Sequence, residues 1–235
     1  MMRLGESQEK LLRRFAAIIF DANMRYNVTG LASLEDIYDR LILGSIAPFA
    51  DCHVPRGTLF ADVGSGAGIP GIPLAIFFPE TEGTLIEANT KKAGLASRAI
   101  ELLGLRNLQV FHGRVEDAAR SEMRSRFNFV ISRAAGPLYW CIEVSAPICA
   151  LQGMVAVYSN HTSDDLPPFV RDHARRLGLK VVDRGSYQSY GVERGVLLFQ
   201  KVGETDARFP RRVAAIRRDF RRILHNGNRK EDESL

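Results

Sequence analysis

The stretch Phe60-Ala61-Asp62-Val63-Gly64-Ser65-Gly66-Ala67-Gly68-Ile69-Pro70-Gly71-Ile72-Pro73 decides the fold. An apolar strand ends on an acid, and the chain then turns through three alternate glycines toward a helix. Glycine adopts positive φ freely and lets backbone approach a ligand with no Cβ in the way. A strand-to-helix turn of this kind puts the ligand at the carboxyl edge of a doubly wound sheet. The sequence on either side has the matching texture. Strand-like runs fall at Thr58–Val63, Gly83–Ala88, Asn107–His112, Phe127–Ser132 and Met154–Tyr158. Helical segments separate them at Pro73–Phe78, Thr90–Leu103, Val115–Met123 and Pro137–Leu151. This alternation predicts βαβ units, a parallel sheet and right-handed crossovers.

Beyond that core, a helix is expected at Pro168–Leu177 and two strands at Lys180–Tyr187 and Val196–Val202, close enough to pair antiparallel. Rossmann-like methyltransferases end their sheet this way, and plain dinucleotide dehydrogenases usually do not. The expected class is therefore α/β: a Rossmann-like, S-adenosylmethionine-dependent methyltransferase fold. It has a mostly parallel sheet, a C-terminal antiparallel strand and a helical N-terminal extension. In that extension Leu11, Leu12, Phe15, Ile18, Ile19 and Ala22 recur at helical spacing, and a second helix is expected over Ser33–Phe49 with Ser33 as its N-cap. Asn27-Val28-Thr29-Gly30 reads as the turn between them. The chain divides into a helical extension (1–50), a methyltransferase domain (51–205) and a basic, helical tail (206–235).

The glycine motif also indicates the ligand. A GxGxxG dinucleotide fingerprint needs Gly at position 69, where this chain has Ile69. An acid at the strand end followed by Gly64, Gly66 and Gly68 points instead to S-adenosylmethionine, whose ammonium Asp62 can hold directly or through water. Glu87 ends the next strand, where a carboxylate accepts hydrogen bonds from both ribose hydroxyls. Backbone groups at Val115 and Glu116, after the third strand, lie where the adenine edge is read. Arg133 ends the fourth strand and is the candidate for positioning substrate or the cofactor carboxylate.

Composition sets outer limits. At 235 residues, 46% hydrophobic and 25% charged, the chain can bury one good core. No apolar run approaches the roughly 20 residues of a membrane span, and the polar start MMRLGESQEK does not read as a secretory signal, so a cytoplasmic protein is expected. Three cysteines without a CxxC make a disulfide framework or a metal site unexpected. The net charge of +5 is unevenly spread: from Arg208 to Lys230 the only opposing acid is Asp219. Arg211, Arg212, Arg217, Arg218, Arg221 and Arg222 are candidate contacts to RNA phosphates.

With these residues assembled, the sequence resembles the bacterial 16S ribosomal RNA guanine-N7 methyltransferases (the glucose-inhibited division protein B, or RsmG-like, family). The resemblance rests on DVGSGAGIPGIPLAI at Asp62–Ile76, GRVED at Gly113–Asp117, ISRA at Ile131–Ala134, ERGVLLFQK at Glu193–Lys201 and FPRR at Phe209–Arg212. It implies cofactor contacts at Gly64, Ile69, Val115, Glu116 and Arg133, and ribosomal RNA or the small ribosomal subunit as partner. Departures fall on the substrate side. Leu41 and Gly44-Ser45 stand where the family has a His and an Asp-Ser pair. Ser159-Asn160 replaces a Lys-Gly, and AAIRRDFRRIL replaces a Lys-rich stretch after FPRR. Two other functions fit the residues: a small-molecule methyltransferase on the same fold, and a non-catalytic RNA-binding or ribosome-assembly protein.

Overall fold

A computed structural model describes the backbone of residues 4–159, 161, 166–189 and 192–232, and their side chains except 183–194 and 223–232. Helix α1 (Glu6–Tyr26) forms because Leu12, Phe15, Ala16 and Ile19 align on one face, and all four are fully buried. It stops at Asn27, which takes the left-handed conformation (φ 48°) as C-cap. The next segment was expected as one helix. It is instead a chain of short pieces: α2 (Leu34–Asp36), a π-helical run (Ile37–Leu43), α3 (Gly44–Ile46) and a 3-10 turn (Ala47–Phe49). Ser33 caps it as expected, its side chain accepting from Asp36 N–H. The ladder is interrupted because side chains take its carbonyls: Ser45 Oγ donates to Leu41 O, and Arg133 donates to Leu41 O and Arg40 O.

The sheet follows in alternation: β1 (Leu59–Val63), α4 (Gly71–Phe77), β2 (Glu82–Glu87), α5 (Thr90–Leu103), β3 (Leu108–His112), α6 (Val115–Ala118), β4 (Phe127–Ser132), α7 (Leu138–Ser145), β5 (Cys149–Ser159), α8 (Pro168–Arg176), β6 (Leu179–Ser189), β7 (Val192–Lys201) and α9 (Val213–Asp232). Its seven strands lie in the order β3-β2-β1-β4-β5-β7-β6. Strands β1 to β5 pair in parallel, and β7 runs antiparallel to both β5 and β6. The mostly parallel sheet with one antiparallel strand is thus present.

Two expected helices are shorter. The Val115–Met123 helix ends at Ala118, and the Pro137–Leu151 helix ends at Ser145. Pro147 cannot donate to a continuing ladder, and Cys149 already pairs with Phe127 of β4.

One face of the sheet is covered by α1, α4 and α5, with Leu12, Phe15, Ile72, Leu85, Ala96 and Leu103 in a shared core. The N-terminal helix therefore packs into the same core as the central strands. Gln8 extends this docking by donating from its amide to the last carbonyls of α4, Ile76 O and Phe77 O. The opposite face carries α6, α7 and α8, where Val130, Ile142, Val155, Ala174 and Phe199 meet. No helix among the described residues is long and apolar enough to cross a membrane.

Candidate active site

Strand order reverses between β1 and β4, so the loops leaving their carboxyl ends diverge and open a crevice. The register fixes what surrounds it. Val63 lies opposite Ile86, Glu87 opposite His112 and Asp62 opposite Ile131. Asp62, Glu87, Val115 and Arg133 therefore sit along one edge. The cavity of about 590 Å³ at the other edge, lined by Arg56, Gly83, Arg106 and Arg126, takes in none of them.

The glycine turn is built for close approach. Gly64, Gly66 and Gly68 all have positive φ (69°, 57° and 96°). A Cβ on Gly64 would sit 2.6 Å from Ala135 Cβ, and one on Gly68 2.4 Å from Ile72 Cδ1, so these two glycines serve packing as well as the turn. A Cβ on Gly66 would meet nothing within 4 Å. Space is left above Gly66, in a backbone conformation that disfavours side chains, which is the form of a cradle for another molecule.

Glu87 faces this cradle, half-buried. Its Oε2 accepts from Gly66 N–H at 2.8 Å and its Oε1 from Asn89 N–H at 2.7 Å. Each carboxylate oxygen has a second lone pair, so two sites stay free for a diol while the group is held in one orientation. Asn89 was missed in the sequence. It is the N-cap of α5, accepting from Lys92 N–H, and an Asn directly before a helical run was the available signal.

Asp62 holds the turn itself. It is fully buried, and its Oδ2 accepts from Gly71 N–H at 2.8 Å, fastening the turn to the start of α4. Burial raises its pKa to about 7, against the lowering effect of the Gly71 bond; the charge of Glu87 raises it further and that of Arg133 lowers it. Asp62 Oδ1, Ser65 Oγ and Glu116 Oε1 are buried without a hydrogen-bond partner. Unpartnered buried polar atoms are costly, and these three gather around the turn and the start of α6. The site is polar and incomplete, which fits a polar ligand such as S-adenosylmethionine. Ile69 is half-buried beside the turn, and Val115 and Glu116 are buried at the start of α6.

Arg133 reaches away from the crevice floor and into the N-terminal run. Its guanidinium donates to Arg40 O at 3.0 Å, Leu41 O at 3.0 Å and Ser45 Oγ at 2.8 Å, and lies 5.2 Å from the centre of the Tyr158 ring. Tyr158, from the end of β5, donates to Ser45 O at 2.6 Å. Tyr158 did not stand out in the sequence, and Ser45 did so only beside the departure at Gly44; a contact between residues about a hundred positions apart leaves no periodic signal. Ala134, next to Arg133, has φ 54°, a strained conformation for a residue with a Cβ.

The C-terminal arginines separate into two groups. Arg211 was expected to face RNA. It is instead turned inward: its Nε and Nη2 bond Glu143 at 2.9 and 2.7 Å, its backbone N–H donates to the same carboxylate at 3.0 Å, and Nη1 pairs with Asp219. Its fork matches a carboxylate already in the protein. Arg212, Arg217, Arg218, Arg221 and Arg222 are exposed. Ile216 is buried and Phe220 packs on Tyr139 and Phe169, so these apolar residues of α9 face inward. Ile223, Leu224, Arg229, Lys230 and Asn160 lie outside the residues whose side chains are described.

The family model of GidB, rRNA small subunit methyltransferase G, matches residues 8–170. The chain belongs to this family. Among curated members, the ribosomal RNA small subunit methyltransferase G of Roseiflexus castenholzii is 32% identical over 90% of this chain and 91% of its own length. That of Mesoplasma florum is 30% identical over 90% and 89%. Solved structures resemble the fold at lower identity. A mutant of MtNAS in complex with S-adenosylmethionine superposes with a TM-score of 0.56 at 16% identity, covering 83% of this chain and 78% of that one. M. jannaschii TYW2 in complex with AdoMet gives 0.50 at 17% identity, covering 62% and 68%. The GidB match ends inside α8, so the β6–β7 hairpin and α9 follow the matched residues.

Proposed function

We propose that this member of the family methylates N7 of a guanine in small-subunit ribosomal RNA, using S-adenosylmethionine held at the carboxyl edge of β1, β2 and β4. The observation that carries the reading is the open cradle over Gly66 facing a Glu87 carboxylate oriented by two backbone N–H groups. The names of the curated relatives support the RNA substrate.

When bound, the cofactor supplies a methyl group on a sulfonium, which departs as a neutral thioether. The protein's work is then orientation more than charge chemistry. Glu87 fixes the ribose, and backbone around Val115 and Glu116 reads the adenine. Asp62 holds the turn in shape from beneath. Arg133 acts as a positioning residue, clamping the run 34–49 beside the crevice. Guanine N7 carries a lone pair and no proton, so no general base is needed. The acids at this edge agree: Asp62 and Glu116 are buried, and Glu87 is occupied by N–H donors. The test is methyl transfer from labelled S-adenosylmethionine to naked 16S RNA, small subunits and whole ribosomes, with the position read by N7-specific strand scission. Label in small-subunit RNA at a scissile guanine is expected. Label only in small molecules, or none in any RNA, would sink the reading.

A further inference from the structure

A second cleft, of about 470 Å³, lies between α8 and α9 on the face away from α1. Arg176, Arg208, Arg211 and Arg222 line it, together with Tyr139, His173, Phe209 and Asp219. These arginines differ in how they are employed. Arg211 is neutralised by Glu143 and Asp219, as described above. Arg208 has one long, exposed carboxylate contact, 3.7 Å to Asp206, and its guanidinium lies 5.1 Å from the centre of the Phe209 ring; exposed ion pairs of that kind contribute little. Among the described residues, Arg176 and Arg222 have no carboxylate partner. Three guanidinium groups from three different chain segments thus converge on one cleft, with little negative charge to answer them.

The cleft is also rigidly built. Glu143 is fully buried and anchors Arg211, and the Tyr139 ring stacks on His173 at 3.9 Å. His173 Nε2 lies 3.0 Å from Glu143 Oε2, close enough for ion pairing though misaligned for a hydrogen bond. The carbonyl end of α8, which would repel an anion, is covered: buried Lys201 Nζ donates to Leu177 O at 2.8 Å, and Thr205 Oγ1 donates to the same oxygen at 2.6 Å. From this cleft the exposed arginines of α9 continue along the helix. Arg217 lines a smaller cavity of about 170 Å³ that also contains Arg114, Ala135 and Gly136, at the edge of the methyl-transfer crevice. A single small anion would occupy one point on this track. A chain of phosphates would occupy all of it.

We infer that the cleft formed by Arg176, Arg208 and Arg222 binds backbone phosphates of the RNA substrate and sets the direction in which the strand runs toward the crevice. Planar forks that each bond two oxygens suit phosphodiesters. The inference rests on the RNA reading given above, and it accounts for the basic tail through two specific residues, Arg208 and Arg222, joined by Arg176 of α8, instead of a diffuse charge.

The test compares the full-length triple variant Arg176→Gln/Arg208→Gln/Arg222→Gln with a charge-matched control, Arg56→Gln/Arg106→Gln/Arg126→Gln, at the opposite edge of the sheet. Affinity for a 16S RNA transcript is measured across a salt series, with S-adenosylmethionine affinity measured alongside. The triple variant should bind RNA at least tenfold more weakly at low salt. Its salt slope should fall by about 0.7–0.9 for each phosphate that is no longer neutralised, while cofactor affinity stays at the wild-type value. RNA affinity and slope equal to those of the control overturn the inference. So does an RNA affinity untouched by the triple variant in a protein whose cleft binds inorganic phosphate, or one that loses only an acidic protein partner. If the triple variant melts early, the exposed single variant Arg222→Glu replaces it with the same readouts. Wild-type transfer to small subunits, scored separately, tells failure of the cleft from failure of the methyltransferase reading.

Discussion

Among the described residues two carboxylates are fully buried, and their surroundings drive them in opposite directions. Asp62, under the glycine turn, has one backbone donor and one empty oxygen, and burial raises it to about 7. Glu143, under the C-terminal helix, is equally buried, but the close approach of His173 and the bonds from Arg211 outweigh burial and bring it down to about 2. The Asp62 carboxylate is left open on one oxygen, and the Glu143 carboxylate is closed, with both oxygens bonded by Arg211. Desolvation favours the neutral form of a buried carboxylate that lacks donors, and hydrogen bonds to the charged form keep it charged. The glycine turn and the α7–α9 junction show the two cases side by side in one chain.

The strongest way to break the contrast is to open the closed site. Glu143→Ala leaves Arg211 without its main partner, and a broken buried pair costs about 3–5 kcal/mol. Urea unfolding should show that loss, with α9 released first. Because Glu143 is lowered from its ordinary 4.5 to about 2 in the folded protein, its contribution is complete above about pH 4.5 and is lost as pH falls toward 2. The variant should therefore lack that acid limb of the stability profile. Wild-type stability in Glu143→Ala would show that the network does not hold the helix.

An intermediate effect is expected at the ligand side of the open site. Glu87→Ala removes the oriented carboxylate and should weaken S-adenosylmethionine binding by about 1–3 kcal/mol with little change in melting temperature. Calorimetry on the two proteins decides it. Unchanged affinity would detach Glu87 from the ribose.

The smallest net change is expected at Asp62, and there the sign carries the information. Its folded pKa lies above its unfolded value of 3.8, so it opposes folding progressively as pH rises from about 4 to about 7, and least below pH 4. Asp62→Asn keeps an oxygen for Gly71 N–H and removes the titration. Stability at pH 8 should then stay within about 1 kcal/mol of wild type, while stability relative to wild type should fall as the pH is lowered toward 4. If the cofactor's ammonium is sensed at Asp62, binding to wild type near pH 7 releases protons and the measured heat varies with the buffer. That variation should vanish in the variant. A variant whose stability tracks wild type at every pH would show that Asp62 does not titrate there.

Much of this was legible because it is local. The glycine turn, Glu87 at the end of β2 and the alternation of strands and helices depend on neighbours within a few residues, and α5 fell on Thr90–Leu103 as expected. What was not legible depends on partners far along the chain. Arg133 is set by carbonyls 92 and 93 residues earlier, which also convert an expected regular helix into π-helical and 3-10 pieces. Arg211 resembled the other tail arginines until Glu143, 68 residues away, drew it inward. The short α7 is the exception: Pro147 stood in the sequence, and its inability to continue a helix was readable there.

The position of β7 has a consequence for how the chain is made. It lies between β5 and β6 in the sheet but is the last strand to be synthesised. Strand β5 ends at Ser159 and β7 at Lys201, 42 residues later. At about 5–20 residues per second of translation, β5 waits roughly 2–8 seconds with one backbone edge unpaired. An unpaired edge of this kind invites pairing with another chain. During that interval the nascent protein is exposed to aggregation, and slowing translation between residues 160 and 201 should lower the yield of soluble enzyme.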